Sequence, residues 1–270
     1  MPDPVPLPLP LRVSVKGAST VGWMAPMGGP RTDLGFPRVI ERELLLAGRP
    51  AVVLSHTVGG DATRNVLRDW ERQVVGWSPD VVVLMAGHYE TIHLLLPNWL
   101  ERHANSLTWA PRRFGTLYRK RLLRPVWRSL VRFQRVVDRR FPWLSTLRLR
   151  HAVADIQRAI THMRGVGSPL VIVMETPPPA PFAQRLFPGM SGRVQLLNAW
   201  LRSMVDGFES EEVRLFRTSE VVAEFADGDL TPALPDGFHF SPELHDLVGR
   251  RLAAEIEAWA QTQGHLKPPA

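Results

Sequence analysis

The chain has no cysteine, and only three of its 270 residues are lysine: Lys16, Lys120 and Lys267. The first absence excludes disulfides, thiolate nucleophiles and thiolate metal sites. The second makes arginine the default cation. No run approaches the roughly 20 apolar residues that a membrane-spanning helix needs. There is no GxGxxG or phosphate-loop signature and no paired metal-ligand motif, so neither a cofactor nor a metal is expected. The opening MPDPVPLPLPL lacks a basic segment followed by a continuous apolar stretch. A secretory signal is therefore not expected, and with no cysteine to protect, a cytoplasmic location is. Its alternating prolines predict an extended arm over residues 1–10.

What is present suits one large domain over 11–262, followed by a short tail at 263–270. Hydrophobic residues make up 44% and charged residues 22%, ordinary for a globular protein. Strand-like runs alternate with helical ones. Val13–Lys16 and Ala51–Ser55 read as strands, followed by helical patterns over 36–47 and 63–76. Asp80–Met85 (DVVVLM) and Pro169–Met174 (PLVIVM) are continuous apolar runs of the kind found in strands buried on both faces. Helices are expected over 152–164, 194–207 and 242–262, with a short strand at 213–216. Alternation of this kind predicts an α/β fold with a parallel sheet between helical layers.

Residues 97–150 break the rhythm. They hold 14 arginines and lysines against two acids, a net of +12, which leaves −5 for the rest of a chain whose total is +7. Leu122, Val126, Leu130, Phe133 and Val137 recur at helical spacing, with arginines over much of the remainder. Pro125 reads as first-turn or as a kink. This segment is expected to be a helical insertion or cap over the site, with Leu130 and Phe133 on an acyl-binding surface. Its arginines would steer an anionic donor: an acyl carrier protein, a coenzyme A thioester or an anionic membrane surface. Nucleic acid is disfavoured, because no recognised motif accompanies the charge.

Ser19 follows the first strand, with Gly17 two residues before it, and reads either as a nucleophile or as a helix cap. Near the other end, LPDGFHFSPELH places Asp236 and His239 three residues apart, so the carboxylate can reach the imidazole and fix its tautomer. Loops after parallel strands gather along one edge of the sheet, which allows Ser19 and His239 to meet. Glycines mark two further corners, Gly60 after the second strand and Gly87 after the third.

In this order, Gly17-Ala18-Ser19, Gly60, Gly87-His88-Tyr89-Glu90 and Asp236-Gly237-Phe238-His239 resemble the four blocks of the SGNH (GDSL) esterases and acyltransferases. The TPPP after PLVIVM is similar to that family too. The resemblance covers most of the chain outside 97–150. It implies a flavodoxin-like three-layer sandwich, Ser19 as nucleophile, His239 as base and Asp236 as its orienting acid. It also implies the backbone N–H groups of Ser19 and Gly60 as oxyanion donors. The chain departs from the family in two blocks. Ala18 replaces the acid of block one, and in block three Tyr89 stands for asparagine and Glu90 for aspartate. His88 and the Tyr89 hydroxyl are candidates for the third oxyanion donor, the alternative being that both pack against the sheet edge. Trp23 and Trp99 are candidate pocket walls, and Glu90 a candidate substrate contact. The substrate would be a small-molecule acyl ester or thioester, hydrolysed or passed to an acceptor. The rival reading is a binding module that kept the fold without the chemistry.

Overall fold

The computed structural model describes residues 9–24, 29–31, 33–58, 61–92, 103 and 112–263. Among these residues seven strands occur in order: β1 (Leu11–Ala18), β2 (Trp23–Met24), β3 (Gly29–Pro30), β4 (Ala51–Val58), β5 (Val81–Met85), β6 (Leu170–Met174) and β7 (Val213–Phe216). Five of them make one parallel sheet in the order β4-β1-β5-β6-β7, and β2 pairs with β3 in a small antiparallel ribbon. Counted along the chain, the five run 2-1-3-4-5, the doubly wound order of flavodoxin-like folds.

The two apolar runs behave as continuous hydrophobicity dictates: every residue of β5 and β6 is buried. Alternation divides each run between two cores. Val81, Val83 and Met85 join Leu170, Ile172 and Met174 on one face. There they share a core with Phe36 and Ile40 of α1 (Phe36–Leu46) and with Leu244, Val248 and Leu252 of the closing helix Pro242–Thr262. Val82, Leu84, Val171 and Val173 face the other way, onto Ile156 and Ile160 of the helix Pro142–Gly167 and Leu197 and Leu201 of the helix Met190–Asp206. The fold is thus a sheet between two helical layers.

In chain order the helices after α1 are α2 (Thr63–Val66), α3 (Trp70–Gln73), α4 (His88–Ile92), α5 (Arg112–Tyr118), α6 (Arg124–Arg140), α7 (Pro142–Gly167), α8 (Pro181–Leu186), α9 (Met190–Asp206), α10 (Thr218–Ala226), α11 (Leu230–Ala233) and α12 (Pro242–Thr262). The bounds of α12 match the sequence expectation because Ser241 fixes its start. The Ser241 hydroxyl accepts from the Leu244 N–H at 3.2 Å, and Pro242 follows as the first helical residue.

Three helical expectations change, the least of them 194–207, which starts at Met190. The pattern over 63–76 is not one helix but α2, α3 and a 3-10 turn at Val75–Trp77. Buried Lys16 of β1 donates to the Gln73 side chain here, so a charge in need of a partner helps shape this segment. The helix expected over 152–164 starts ten residues earlier, at Pro142. Proline suits a helix start, because an N–H there has no intrahelical partner to lose.

The basic segment is helical where it is described: α5, a π-helical turn at Arg119–Leu123, then α6 with Pro125 in its first turn. Its predicted stripe is split, however: Leu122, Val126 and Phe133 are exposed and Leu130 is half-buried, while Val137 is buried with Leu123 and Gln134. The Gln134 amide donates to the Ile92 carbonyl at 3.2 Å, and that bond sets which side of α6 meets the body. The Pro-rich arm, except Leu9 and Pro10, and the tail after Gln263 lie outside the described residues, as do 93–102 and 104–111.

Candidate active site

Ser19 follows β1, which lies between β4 and β5, and opens a 3-10 turn, Ser19–Val21, that carries the chain out of the sheet. It does not cap a helix. Its Oγ lies 2.9 Å from Nε2 of His239, and Nδ1 of that ring lies 2.7 Å from Oδ2 of Asp236. A carboxylate only accepts, so Nδ1 carries the proton and Nε2 is the bare nitrogen that accepts the serine O–H. All three side chains are half-buried.

The loop that carries the pair is braced by the carboxylate itself. Oδ1 of Asp236 accepts from the backbone N–H of Phe238 (3.0 Å) and of His239 (2.9 Å), leaving Oδ2 for the ring. Gly237 between them has φ +94°, and a Cβ there would stand 2.7 Å from Cβ of Ala183, so a side chain is excluded on two counts. Burial pushes the Asp236 pKa upward. The hydrogen bond and positive field of His239, with the two N–H groups, outweigh it and hold the carboxyl below its ordinary value.

Two block-three side chains line the same edge of the sheet. Gly87, at φ +97°, turns the chain from β5 into α4. His88 is buried edge-on against Phe238, ring centres 5.9 Å apart, and neither ring nitrogen has a hydrogen-bond partner among the described residues. Burial holds its pKa down to about 3; the charge on His239 lowers it further and Asp236 opposes. The ring is therefore neutral at ordinary pH. Tyr89 is buried beside it.

Trp23 stands where a wall residue should, its ring 5.5 Å from that of His239. Behind it is a histidine that the sequence reading missed. His245 is buried one turn into α12; its Nδ1 accepts from the Phe36 N–H at 3.2 Å, which leaves Nε2–H for the Trp23 carbonyl at 3.4 Å. Burial, supplemented by the field of His239 and opposed by the Trp23 carbonyl, holds its pKa down to about 4. A signal was present in SPELH, a histidine four residues past a helix cap, but nothing there says which ring it supports.

Glu90 departs from expectation. Both carboxylate oxygens are taken by Thr63, one by its backbone N–H at 2.6 Å and the other by its hydroxyl at 2.9 Å. Glu90 is a tie between α4 and the start of α2, not a group offered to substrate. Gly60 lies outside the described residues, three positions before Thr63, as does Trp99. Leu130 is half-buried and Phe133 exposed. Among the described residues no group of three His, Asp or Glu is placed to hold a metal ion.

The Glu90 tie has a measurable signature. Burial raises its pKa above the ordinary 4.5, against the Thr63 hydrogen bonds and the field of Arg148. The folded state then binds this proton more tightly than the unfolded one, so wild-type stability falls as pH rises from about 4.5 through the raised value. Glu90→Gln keeps the shape and both contacts but carries no charge. Its melting temperature is expected to exceed that of the wild type at neutral pH, and the gap to close toward pH 4.5. Thermal melts across pH decide the matter; a gap that widens on acidification would refute it.

A doubly wound sheet thus brings a serine, a histidine and a carboxylate into one hydrogen-bonded path at the carboxyl ends of its strands. Solved structures with the same fold include the lipase/acylhydrolase from Enterococcus faecalis (TM-score 0.60, 17% identity, covering 96% of this chain and 99% of that one). The acetylxylan esterase Axe2 from Geobacillus stearothermophilus gives TM-score 0.59 at 15% identity, covering 93% and 96%. The carbohydrate acetylesterase Est24 from Sinorhizobium meliloti gives TM-score 0.54 at 14% identity, covering 92% and 99%. No curated protein sequence matches the chain. Residues 17–247 match the GDSL-like Lipase/Acylhydrolase family, and the chain belongs to that family. It is an enzyme of the serine hydrolase or esterase type.

Proposed function

We propose that the chain hydrolyses acyl esters through a covalent acyl-enzyme, with Ser19 as nucleophile, His239 as general base and acid, and Asp236 as the group that orients it. The observation that carries this reading is the continuous hydrogen-bond path from Ser19 Oγ through His239 to Asp236, at 2.9 and 2.7 Å. Ser19 Oγ attacks the ester carbonyl carbon while His239 Nε2 takes its proton. The imidazolium then returns that proton to the departing alkoxide as the C–O bond breaks. Water repeats the sequence on the acyl-enzyme, and Asp236 stabilises the imidazolium in both halves.

The oxyanion needs donors. The backbone N–H groups of Ser19 and Gly60 supply two in this reading, and His88 supplies the third, in place of the family's asparagine. A neutral imidazole always carries one N–H, and that of His88 has no partner to give up among the described residues. His88→Phe keeps the packing against Phe238 and removes the donor. It is expected to lower kcat by about 10²–10³ with little change in KM. Because two unpaired buried nitrogens disappear with it, the melting temperature should rise rather than fall. A variant with wild-type kcat would return His88 to packing and leave the Tyr89 hydroxyl as the candidate.

The esterases that share this fold act on acetylxylan and acetylated carbohydrate by name, so acetyl esters of sugars are the first substrates to try. Transfer to a sugar, amine or other acceptor uses the same acyl-enzyme and is the alternative reading. Intact-mass measurement after mixing with an acyl ester or thioester, with and without acceptors, tests both. An increment on Ser19 lost to water supports the esterase, and one lost only to an acceptor supports the transferase. No increment, with no labelling of Ser19 by a fluorophosphonate, would make the chain a binding module. A cytoplasmic location belongs to the same reading. Among the described residues no helix is long and apolar enough to cross a membrane.

A further inference from the structure

The helices α5, α6 and the start of α7 carry large apolar side chains that nothing covers among the described residues. Phe114 is 72% exposed, and Phe133 and Trp143 are each 59% exposed; Leu122, Val126 and Val136 are exposed between them. Elsewhere most large apolar side chains fill two cores, although Leu45, Leu46, Val166 and Phe182 are exposed as well. Lys120, Arg121, Arg140 and Arg150 are exposed along the same stretch. Acids are almost missing from it: Glu101 and Asp138 stand against 14 basic residues in 101–150.

We infer that this face is a membrane-docking surface, recognising the anionic headgroups of a lipid bilayer and burying its aromatic and aliphatic side chains at the headgroup boundary. The pattern is that of a helix lying in the interface plane. α6 is strongly amphipathic yet low in net hydrophobicity, rich in arginine and carrying phenylalanine and valine on the other side. A large excess of positive charge selects an anionic surface, and each cation near one adds to binding. An acidic carrier protein would also satisfy the charge, but the exposed apolar row favours lipid. That row runs through three successive helices, and α6 alone, at 17 residues, spans about 25 Å. Protein interfaces concentrate apolar contact at a centre and ring it with polar groups; here exposed apolar side chains run from Phe114 to Trp143, with exposed cations from Lys120 to Arg150.

The placement matters for the chemistry. α6 is joined to the catalytic edge through the hydrogen bond from Gln134 to Ile92, in the helix that carries His88 and Tyr89. A docked protein would therefore hold that edge close to esters dissolved in lipid. That consequence rests on the esterase reading. The docking itself does not, and is tested without it.

The experiment is co-sedimentation of the full chain carrying Ser19→Ala with vesicles of phosphatidylcholine alone, or of equal parts phosphatidylcholine and phosphatidylglycerol. Binding is expected on the mixed vesicles at low salt and to be weak on the neutral ones. Lys120→Gln/Arg121→Gln/Arg140→Gln should weaken it by about tenfold to 100-fold. Phe114→Ser/Val136→Ser/Trp143→Ser should weaken it by at least about tenfold at unchanged charge. In a protein with Ser19 intact, neither triple variant should change turnover of a small water-soluble ester. Absence of binding to the mixed vesicles would overturn the inference, as would capture by an acidic carrier protein in its place. So would an apolar triple variant that binds as the wild type does, since charge alone would then account for the attraction.

Discussion

Ser19→Ala is expected to abolish acyl-enzyme formation and to lower ester turnover by about 10⁶-fold, the loss seen when the nucleophile of such a unit is removed. The loss is this large because the remaining groups then act on nothing: His239 has no serine proton to take, and Asp236 stabilises an imidazolium that never forms. Folding should be almost untouched. Ser19 is half-buried, caps no helix, and its Oγ makes one hydrogen bond to a half-buried ring, so its removal costs no more than about 1 kcal/mol. The two readouts together are decisive. A melting temperature near that of the wild type with no fluorophosphonate labelling assigns Ser19 to the chemistry. Wild-type turnover by the variant would remove it.

Much of this site could be read from residue order, because a parallel sheet converts order into place. The first three blocks each follow a strand and so arrive at one edge, and the loop before α12 returns Asp236 and His239 to it, which is how residues 220 positions apart come within 2.9 Å. The strands were equally legible: DVVVLM and PLVIVM are buried on both faces, where continuous hydrophobicity and short length leave no other element. What failed was whatever depended on a partner. Periodicity over 63–76 is the same for one helix as for two short ones, and the Lys16–Gln73 contact shaping this segment lies across 57 residues. The apolar stripe along this segment is uniform in sequence but divided in the fold: Val137 turns inward with Gln134, whose bond to Ile92 no periodicity reveals, and Phe133 stays outside. Nothing in the sequence reveals that Thr63 occupies both oxygens of Glu90, which takes that carboxylate away from substrate. His245 was passed over for the same reason: its role is defined by Phe36 and Trp23, more than 200 residues away.

Asp236→Asn should be the more informative of the two catalytic variants, because it preserves nearly every contact and still fails. The asparagine carbonyl can go on accepting from the N–H groups of Phe238 and His239, so the loop around Gly237 has no reason to move. The change is at the other atom. Oδ2, which accepts from His239 Nδ1 at 2.7 Å, becomes an NH₂ group that can only donate. His239 must then present a bare Nδ1 to it and place its proton on Nε2, facing Ser19. In that tautomer the ring donates to the serine oxygen and cannot take its proton, and the imidazolium formed later has no carboxylate beside it. Turnover is expected to fall by about 10³–10⁴-fold, with KM nearly unchanged. Stability offers an independent check with a definite sign. The Asp236 pKa is held below its ordinary 3.8 in the folded state, so the ionised carboxyl stabilises the fold above that pH and the benefit is lost as pH falls through the lowered value. The variant should therefore melt somewhat below the wild type at neutral pH, and the gap should close in strong acid. Unchanged kinetics would show that another group orients His239. A collapse of turnover accompanied by a large loss of structure would instead make Asp236 a brace for its loop, and the Ser19–His239 pair would have to work without it.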